Sequence, residues 1–236
     1  MNKVQNIFIP PMQLANKVVA EFDQQATAEI SLWPGGFCAA LTLHWLSLRL
    51  LGQNWPATQA DPRTTALATA ASATYATYKA HQTVKDDVAV AVFARGIFGN
   101  ALGLVESVPE AQIRRGIESV AGGLGLAIDG DAIAWGAGTD GHVFMHETAV
   151  LKVGLYYLSM RTKMPTGDDQ AHAVGLQIYE SSTDTDCEYY DSNLGQFHFE
   201  QPSDFRWAFY DLLKAYETAY GHKFYRGTLF RMKAKV

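Results

Sequence analysis

The stretch from Cys38 to Leu51 constrains this chain more than any other. Leu41, Trp45, Leu48 and Leu51 recur at intervals of three and four, which predicts a helix. Leu43, Leu46 and Leu50 widen the apolar stripe until it covers most of the circumference. A helix of that kind needs neighbours on nearly every side, so it is a central element. Gly52 ends it, and Leu32-Trp33-Pro34-Gly35-Gly36 just ahead of it reads as a turn or loop.

The rest of the chain must supply the cover. Residues 11–30 read as a helical lead-in, with Leu14, Val18, Val19 and Phe22 at helical spacing. Asp61-Pro62 opens an Ala- and Thr-rich helix to about His81, with Asp as cap and Pro in the first turn. Residues 84–105 continue the helical pattern with weak points at Gly96 and Gly99. Pro109 to Val120 predicts a further helix, and 122–141 is glycine-rich without a clear period. The texture then changes. Residues 149–160 predict a strand, Pro165 to Asp168 a turn, and 171–179 an alternating strand with His172, Val174, Leu176 and Ile178 on one face. Two short strands, Cys187 to Tyr190 and Gln196 to Phe199, flank the turn sequence Asp191 to Gly195. A strong helix spans Pro202 to Tyr220, and a last strand runs from about Lys223 to Met232. Helices followed by an antiparallel sheet define an α+β fold.

The totals exclude several classes. The chain has 236 residues, 48% hydrophobic and 18% charged, which suits one folded domain, or one domain with a large insertion. A net charge of −5 argues against a general nucleic-acid binder. The basic stretch Lys223 to Lys235 is interleaved with aromatic and aliphatic residues and reads as a strand with one wet face. Pro10 and Pro11 cut short the apolar run Ile7-Phe8-Ile9, so no cleavable signal peptide is expected, and no integral membrane segment either. The two cysteines, Cys38 and Cys187, form no disulfide framework, although a single bridge between them remains open on sequence grounds. No cofactor or metal is expected.

Three residues stand out chemically. Cys38 opens the most apolar helix, where the helix N-terminus places partial positive charge and free N–H groups beside a thiol. Those groups suit a nucleophile and the oxyanion it generates. His172, on a strand face otherwise made of Val174, Leu176 and Ile178, is a candidate base. Asp191, ending the next strand, is a candidate partner for the second ring N–H. Cys187 reads as a small buried hydrophobe.

In Gly36-Phe37-Cys38-Ala39-Ala40-Leu41-Thr42-Leu43-His44-Trp45, the residues Gly36, Cys38, Leu41 and Trp45 match a Gly-x-Cys-x-x-Leu-Ser-x-x-Trp pattern, with Thr42 in place of serine. Ala171-His172-Ala173 and Asp191-Ser192-Asn193-Leu194-Gly195 follow in order. Together these blocks resemble the YopT and AvrPphB group of papain-like cysteine proteases, bacterial secreted effectors. The resemblance implies a papain-like domain over residues 1–236, its central nucleophile helix packed on a C-terminal antiparallel sheet, with a mainly helical insertion at about 52–148. It implies a Cys38, His172 and Asp191 triad and an acyl-enzyme. It also implies a protein substrate, in a host, and delivery to the host cytosol without a cleavable signal peptide; a cytoplasmic location is the alternative. The group carries an Asn or Gln just upstream of the cysteine as oxyanion donor. Here Glu29 to Trp33 has none, which leaves Ser31 or backbone N–H groups.

Two rival functions stay open. The same triad serves deamidation, transglutamination or acyl transfer, and a catalytically dead binding module of papain shape would keep the fold alone. Other motifs carry less. Gly136 to Gly141 satisfies GxGxxG without the βαβ unit it needs. His142 and His146 have metal-like spacing, but Val150 stands where the zinc-protease pattern wants histidine. Asp184, Asp186 and Glu188 lack the glycine and closing glutamate of a calcium loop. His44 lies too far along its helix to reach the thiol and packs beside Trp45.

Overall fold

The structure is a computed structural model, describing residues 3–24, 37–56, 60–82, 104–135, 151–167, 169–181 and 184–236. Its helices are α1 (Lys3–Leu14), α2 (Cys38–Leu50), α3 (Pro62–Gln82), α4 (Leu104–Ala121) and α5 (Pro202–Tyr220). Its strands are β1 (Val18–Glu21), β2 (Leu126–Ile128), β3 (Ile133–Trp135), β4 (Gly154–Lys163), β5 (Asp169–Glu180), β6 (Thr185–Asp191), β7 (Gly195–Phe199) and β8 (Lys223–Ala234). All pair antiparallel in one sheet of order β1-β7-β6-β5-β4-β8-β2, with β3 also on β8. The expected α+β class is what the chain adopts.

The sheet is covered on both faces. On one lie α2, α3 and α4, packed on Tyr157, Ala173, Tyr190 and Phe230. On the other, α1 and α5 pack on Leu158, Val174, Leu176, Ile178 and Tyr189. Helix α2 is the centre of the first layer: every residue from Cys38 to Leu46 is buried. Alternation along β5 therefore separates two cores rather than a core from solvent, and His172 shares its strand parity with the α5 side, not with the helix that carries Cys38.

What lets α2 lie so close to the sheet is Gly175. A Cβ there would stand 2.5 Å from the Trp45 ring. The indole fills that space fully buried, stacks on Tyr190 at 5.6 Å and donates to Gln196 Oε1 at 3.1 Å. Gln196 in turn donates to Glu188, whose other oxygen accepts from Arg49 near the end of α2 at 2.9 Å. The C-terminal half of the helix is thus pinned to β5, β6 and β7.

Several expected boundaries move. Of the helical lead-in expected over 11–30, residues 11–14 are the end of an earlier helix and Val18–Glu21 is an edge strand on β7, while 25–30 lie outside the described residues. Burial of Val4, Phe8 and Ile9 holds α1 through Pro10 and Pro11, which fall in its last turns, where fewer N–H bonds are lost. The β-branched Val18 and Val19 suit the sheet edge as well as a helix. Helix α4 begins at Leu104, ahead of Pro109, and β4 begins at Gly154, later than residue 149. The glycine-rich span contributes β2 and β3 to the sheet. The helical pattern at 84–105 falls almost entirely, and the loop 32–36, GxGxxG 136–141, His142, His146 and Val150 entirely, outside the described residues. No described helix is long and apolar enough to cross a membrane.

Gly175→Ala should cost about 1–3 kcal/mol, because the new methyl must displace a buried indole. Gly123→Ala, where nothing lies within 4 Å of the added carbon, serves as control. The check is the urea midpoint of each variant; equal midpoints would contradict the close Trp45 contact.

Candidate active site

Cys38 begins α2, directly after Phe37. Among the described residues no side chain caps this terminus, and the first intrahelical backbone bond there is Leu41 N to Phe37 O at 2.9 Å. The N–H groups of the first turn, from Cys38 to Ala40, have no helical acceptor of their own, which leaves partial positive charge at the end of the helix that carries the thiol. Thr42, one turn on, donates to Ala173 O at 3.1 Å and ties the cysteine's helix to the residue following His172.

His172 lies near the start of β5, with 12% of its side chain exposed. Its Nε2 is 3.0 Å from Asp191 Oδ2. A carboxylate only accepts, so Nε2 carries the proton and Nδ1 is the nitrogen left to meet a thiol. Cys38 lies within electrostatic reach of the imidazole. The structure therefore brings together all three residues singled out in the sequence. Burial disfavours the charged ring, yet the charge and hydrogen bond of Asp191, with Cys38 adding to them, override it and push the His172 pKa up to about 10.

Asp191 is completely buried and thoroughly solvated by protein. It accepts from the Asn193 backbone N–H at 2.8 Å, from Tyr189 Oη at 3.2 Å, and from Tyr216 Oη at 3.1 and 3.3 Å, besides His172. A buried carboxylate with so many donors is held in one orientation. The turn after it closes at Gly195, whose φ of 121° excludes a side chain; a Cβ would strike Ala20 O at 1.9 Å. The glycine of the Asp-x-Asn-x-Gly sequence is thus required by the approach of β1.

Two residues were missed by sequence reasoning. Tyr216 of α5 looked like one more apolar position on that helix, but its hydroxyl also sits 3.5 Å from His172 Nε2 and accepts from Asn193 Nδ2 at 2.8 Å. Gln24 stands well ahead of the segment searched for an amide. Its Oε1 accepts the Phe37 N–H at 3.1 Å, and its Nε2 donates to Asn193 Oδ1 at 2.6 Å. It joins the start of α2 to the Asp191 turn. Only a strand pairing that brings β1 beside β7 places it there, and no local pattern signals that.

The other candidates resolve plainly. Cys187 is free and fully buried, and burial, then the charges of Glu188 and Asp186, push its thiol well above the ordinary range. Cys38 is also free, so no bridge joins the pair. His44 meets Thr74 Oγ1 at 2.9 Å, and burial lowers its pKa. Asp186 pairs with His198 at 3.0 Å and Glu188 with Arg49 at 2.9 Å. No cluster able to hold a metal occurs among the described residues. Ser31 lies outside them.

A papain-like α+β fold is what this arrangement defines: a central helix, buried against an antiparallel sheet, that begins near a strand histidine. The fold is that of the Pseudomonas avirulence protein AvrPphB, matched over 94% of this chain and 100% of that one at 16% identity, with a TM-score of 0.57. PatoxP, a cysteine protease-like domain of the Photorhabdus asymbiotica toxin PaTox, also aligns, over 94% of this chain and 56% of that one, at 13% identity and a TM-score of 0.43. No family model and no curated protein sequence matches the chain. The likeness read from three short sequence blocks thus extends to the whole fold.

The raised histidine pKa has a sign. Since the folded value lies above the ordinary 6.5, the protonated ring stabilises the fold fully below about pH 6.5, and that contribution is lost as pH rises through about 10. The stability difference between wild type and His172→Gln, from urea titrations across that window, should shrink as pH rises; a difference independent of pH would refute the buried pair. Tyr216→Phe keeps the ring but removes a donor from a buried carboxylate, and should cost about 1–3 kcal/mol in the same assay.

Proposed function

We propose that the protein is a cysteine peptidase of the papain type, acting on a protein through Cys38, His172 and Asp191. The reading is carried by one observation: a fully buried carboxylate 3.0 Å from an imidazole that lies within electrostatic reach of Cys38, the first residue of a buried helix. An isolated cysteine, histidine or aspartate has ordinary structural uses. The ordered chain of acceptor, imidazole and thiol has a specific chemical one.

In this mechanism the Cys38 thiolate attacks a substrate carbonyl carbon while His172 is held as imidazolium. The developing oxyanion is received by N–H groups at the start of α2. The tetrahedral intermediate collapses as His172 passes its proton to the leaving amine, which departs and leaves a thioester on Cys38. Neutral His172 then takes a proton from water, whose oxygen attacks the thioester and releases the acid. Asp191 accepts from Nε2 and keeps the ring proton on that nitrogen. Gln24 supports the start of α2 by fixing the Phe37 N–H.

The whole of residues 1–236 forms the catalytic unit in this reading, with about 52–148 as an insertion whose helices α3 and α4 cover α2 and whose strands β2 and β3 extend the sheet. The shared fold with an avirulence protein favours a secreted effector that cleaves a host protein. That context is part of the proposal.

Cys38→Ala and His172→Ala should each remove activity by orders of magnitude, while Asp191→Ala should leave a small residue. The assay is cleavage of a reduced, unfolded protein mixture followed by mass spectrometry. Equal cleavage by wild type and Cys38→Ala would sink the proposal. A mass gain of about one dalton on glutamine side chains without chain cuts would move the same acyl-enzyme to deamidation.

A further inference from the structure

Gln24 follows β1 in sequence, is buried, and has its backbone held against the Asp191 turn. Phe22 N–H donates to Leu194 O at 3.1 Å, and Gln24 N–H donates to Ser192 O at 2.9 Å. The amide of Gln24 therefore has a fixed place between the start of α2 and that turn. On one side its Oε1 accepts the Phe37 N–H at 3.1 Å; on the other its Nε2 donates to Asn193 Oδ1 at 2.6 Å. Asn193 Nδ2 donates to Tyr216 Oη at 2.8 Å, and Tyr216 Oη reaches the two oxygens of Asp191 at 3.1 and 3.3 Å.

The two ends of this run fix its direction. A backbone N–H only donates and a carboxylate only accepts. With Phe37 N–H at one end and Asp191 at the other, each side chain between them accepts from the one before and donates to the one after. Gln24 turns its oxygen to Phe37 and its nitrogen to Asn193. Asn193 turns its oxygen to Gln24 and its nitrogen to Tyr216. The tyrosine has one proton to give, and it goes to Asp191. Bonds aligned head to tail in this way polarise one another. Asp191 divides its accepting capacity among Tyr216, Tyr189 Oη, the Asn193 backbone N–H and His172 Nε2–H. Each donor lowers the basicity of a carboxylate, so withdrawing one strengthens its hold on the rest.

We infer that Gln24 and Asn193 are positioning residues which, through Tyr216, maintain a one-way run of hydrogen bonds from the start of α2 to Asp191 and so set the strength of the Asp191–His172 bond. The inference deepens the peptidase reading and rests on it for any effect on turnover, whereas the hydrogen bonds themselves are testable without activity.

Gln24→Glu is nearly isosteric and keeps an acceptor for Phe37 N–H, but it offers Asn193 a second acceptor in place of a donor. Asn193 then turns its Nδ2 to Glu and its Oδ1 to Tyr216, whose proton leaves Asp191. The readout is the His172 Nε2–H resonance of the full chain carrying isotope-labelled histidine, at about pH 8, where a glutamate is ionised. His172→Gln identifies that resonance by its loss. Tyr216→Phe, which deletes the hydroxyl proton outright, should move it downfield, because Asp191 with one donor fewer draws the Nε2 proton harder. Gln24→Glu should move it the same way. Gln24→Ala, which interrupts the run without reversing it, should leave it near the wild-type position. In the Tyr216→Phe background Gln24→Glu should add nothing. Asn193→Asp gives a second route: the new carboxylate accepts from Gln24 and takes the Tyr216 proton, with the same downfield move. On a peptide carrying a mapped cut, Gln24→Glu should lower kcat about tenfold with KM unchanged, a fraction of what a positioned acid supplies. An imidazolium held more tightly yields its proton to the leaving amine more slowly.

A resonance at the wild-type position in both Gln24→Glu and Asn193→Asp would overturn the inference. So would an equal displacement with and without the Tyr216 hydroxyl, since then only the added charge is felt. Wild-type protein that cuts no peptide, while the resonances move as expected, would instead remove the peptidase reading and leave the run of hydrogen bonds standing.

Discussion

The contact of Trp45 with Gly175 sets the geometry on which the rest of this molecule depends. A helix and a sheet normally meet through two layers of side chains; here one strand position has none, and an indole takes its place. The helix axis is drawn toward the sheet, and the first residue of α2 arrives at the level of His172. Hydrogen bonds from Trp45 to Gln196 and from Arg49 to Glu188 and Gln177 keep the helix from sliding or rotating. These polar contacts are buried at Trp45 and partly buried at Arg49, and their value lies in fixing one register of helix on sheet.

The candidate site is assembled from both faces of the sheet. Cys38 comes from the layer of α2, whereas His172 and Asp191 share strand parity with the α5 layer, where Tyr216 holds the carboxylate. The network from Phe37 through Gln24, Asn193 and Tyr216 to Asp191 spans these layers with donor–acceptor contacts of 2.6 to 3.3 Å. A carboxylate removed from water is stable as an anion only when so surrounded, and the same donors that stabilise it prevent its rotation. Order in the site is a by-product of solvating that one charge.

Fold similarity to AvrPphB speaks to architecture, over 94% of this chain at 16% identity. One architecture tolerates many residues at any given site, so what the site does is a separate question from the fold that holds it.

Much was legible from the chain alone. The all-round apolar character of Cys38 to Leu51 determined a central helix, because nothing else can bury such a surface. The alternation in 171–179, the turn Asp191 to Gly195 and the cap at Asp61-Pro62 determined local elements, because backbone sterics and hydrogen bonding act within a few residues. The order of the three motif blocks singled out Cys38, His172 and Asp191. Tertiary structure alone decided the roles of Gln24 and Tyr216, the edge-strand state of Val18–Glu21 and the burial of both faces of β5. Each depends on which distant strand or helix lies alongside, and the short-range forces that pattern a sequence hold no record of that.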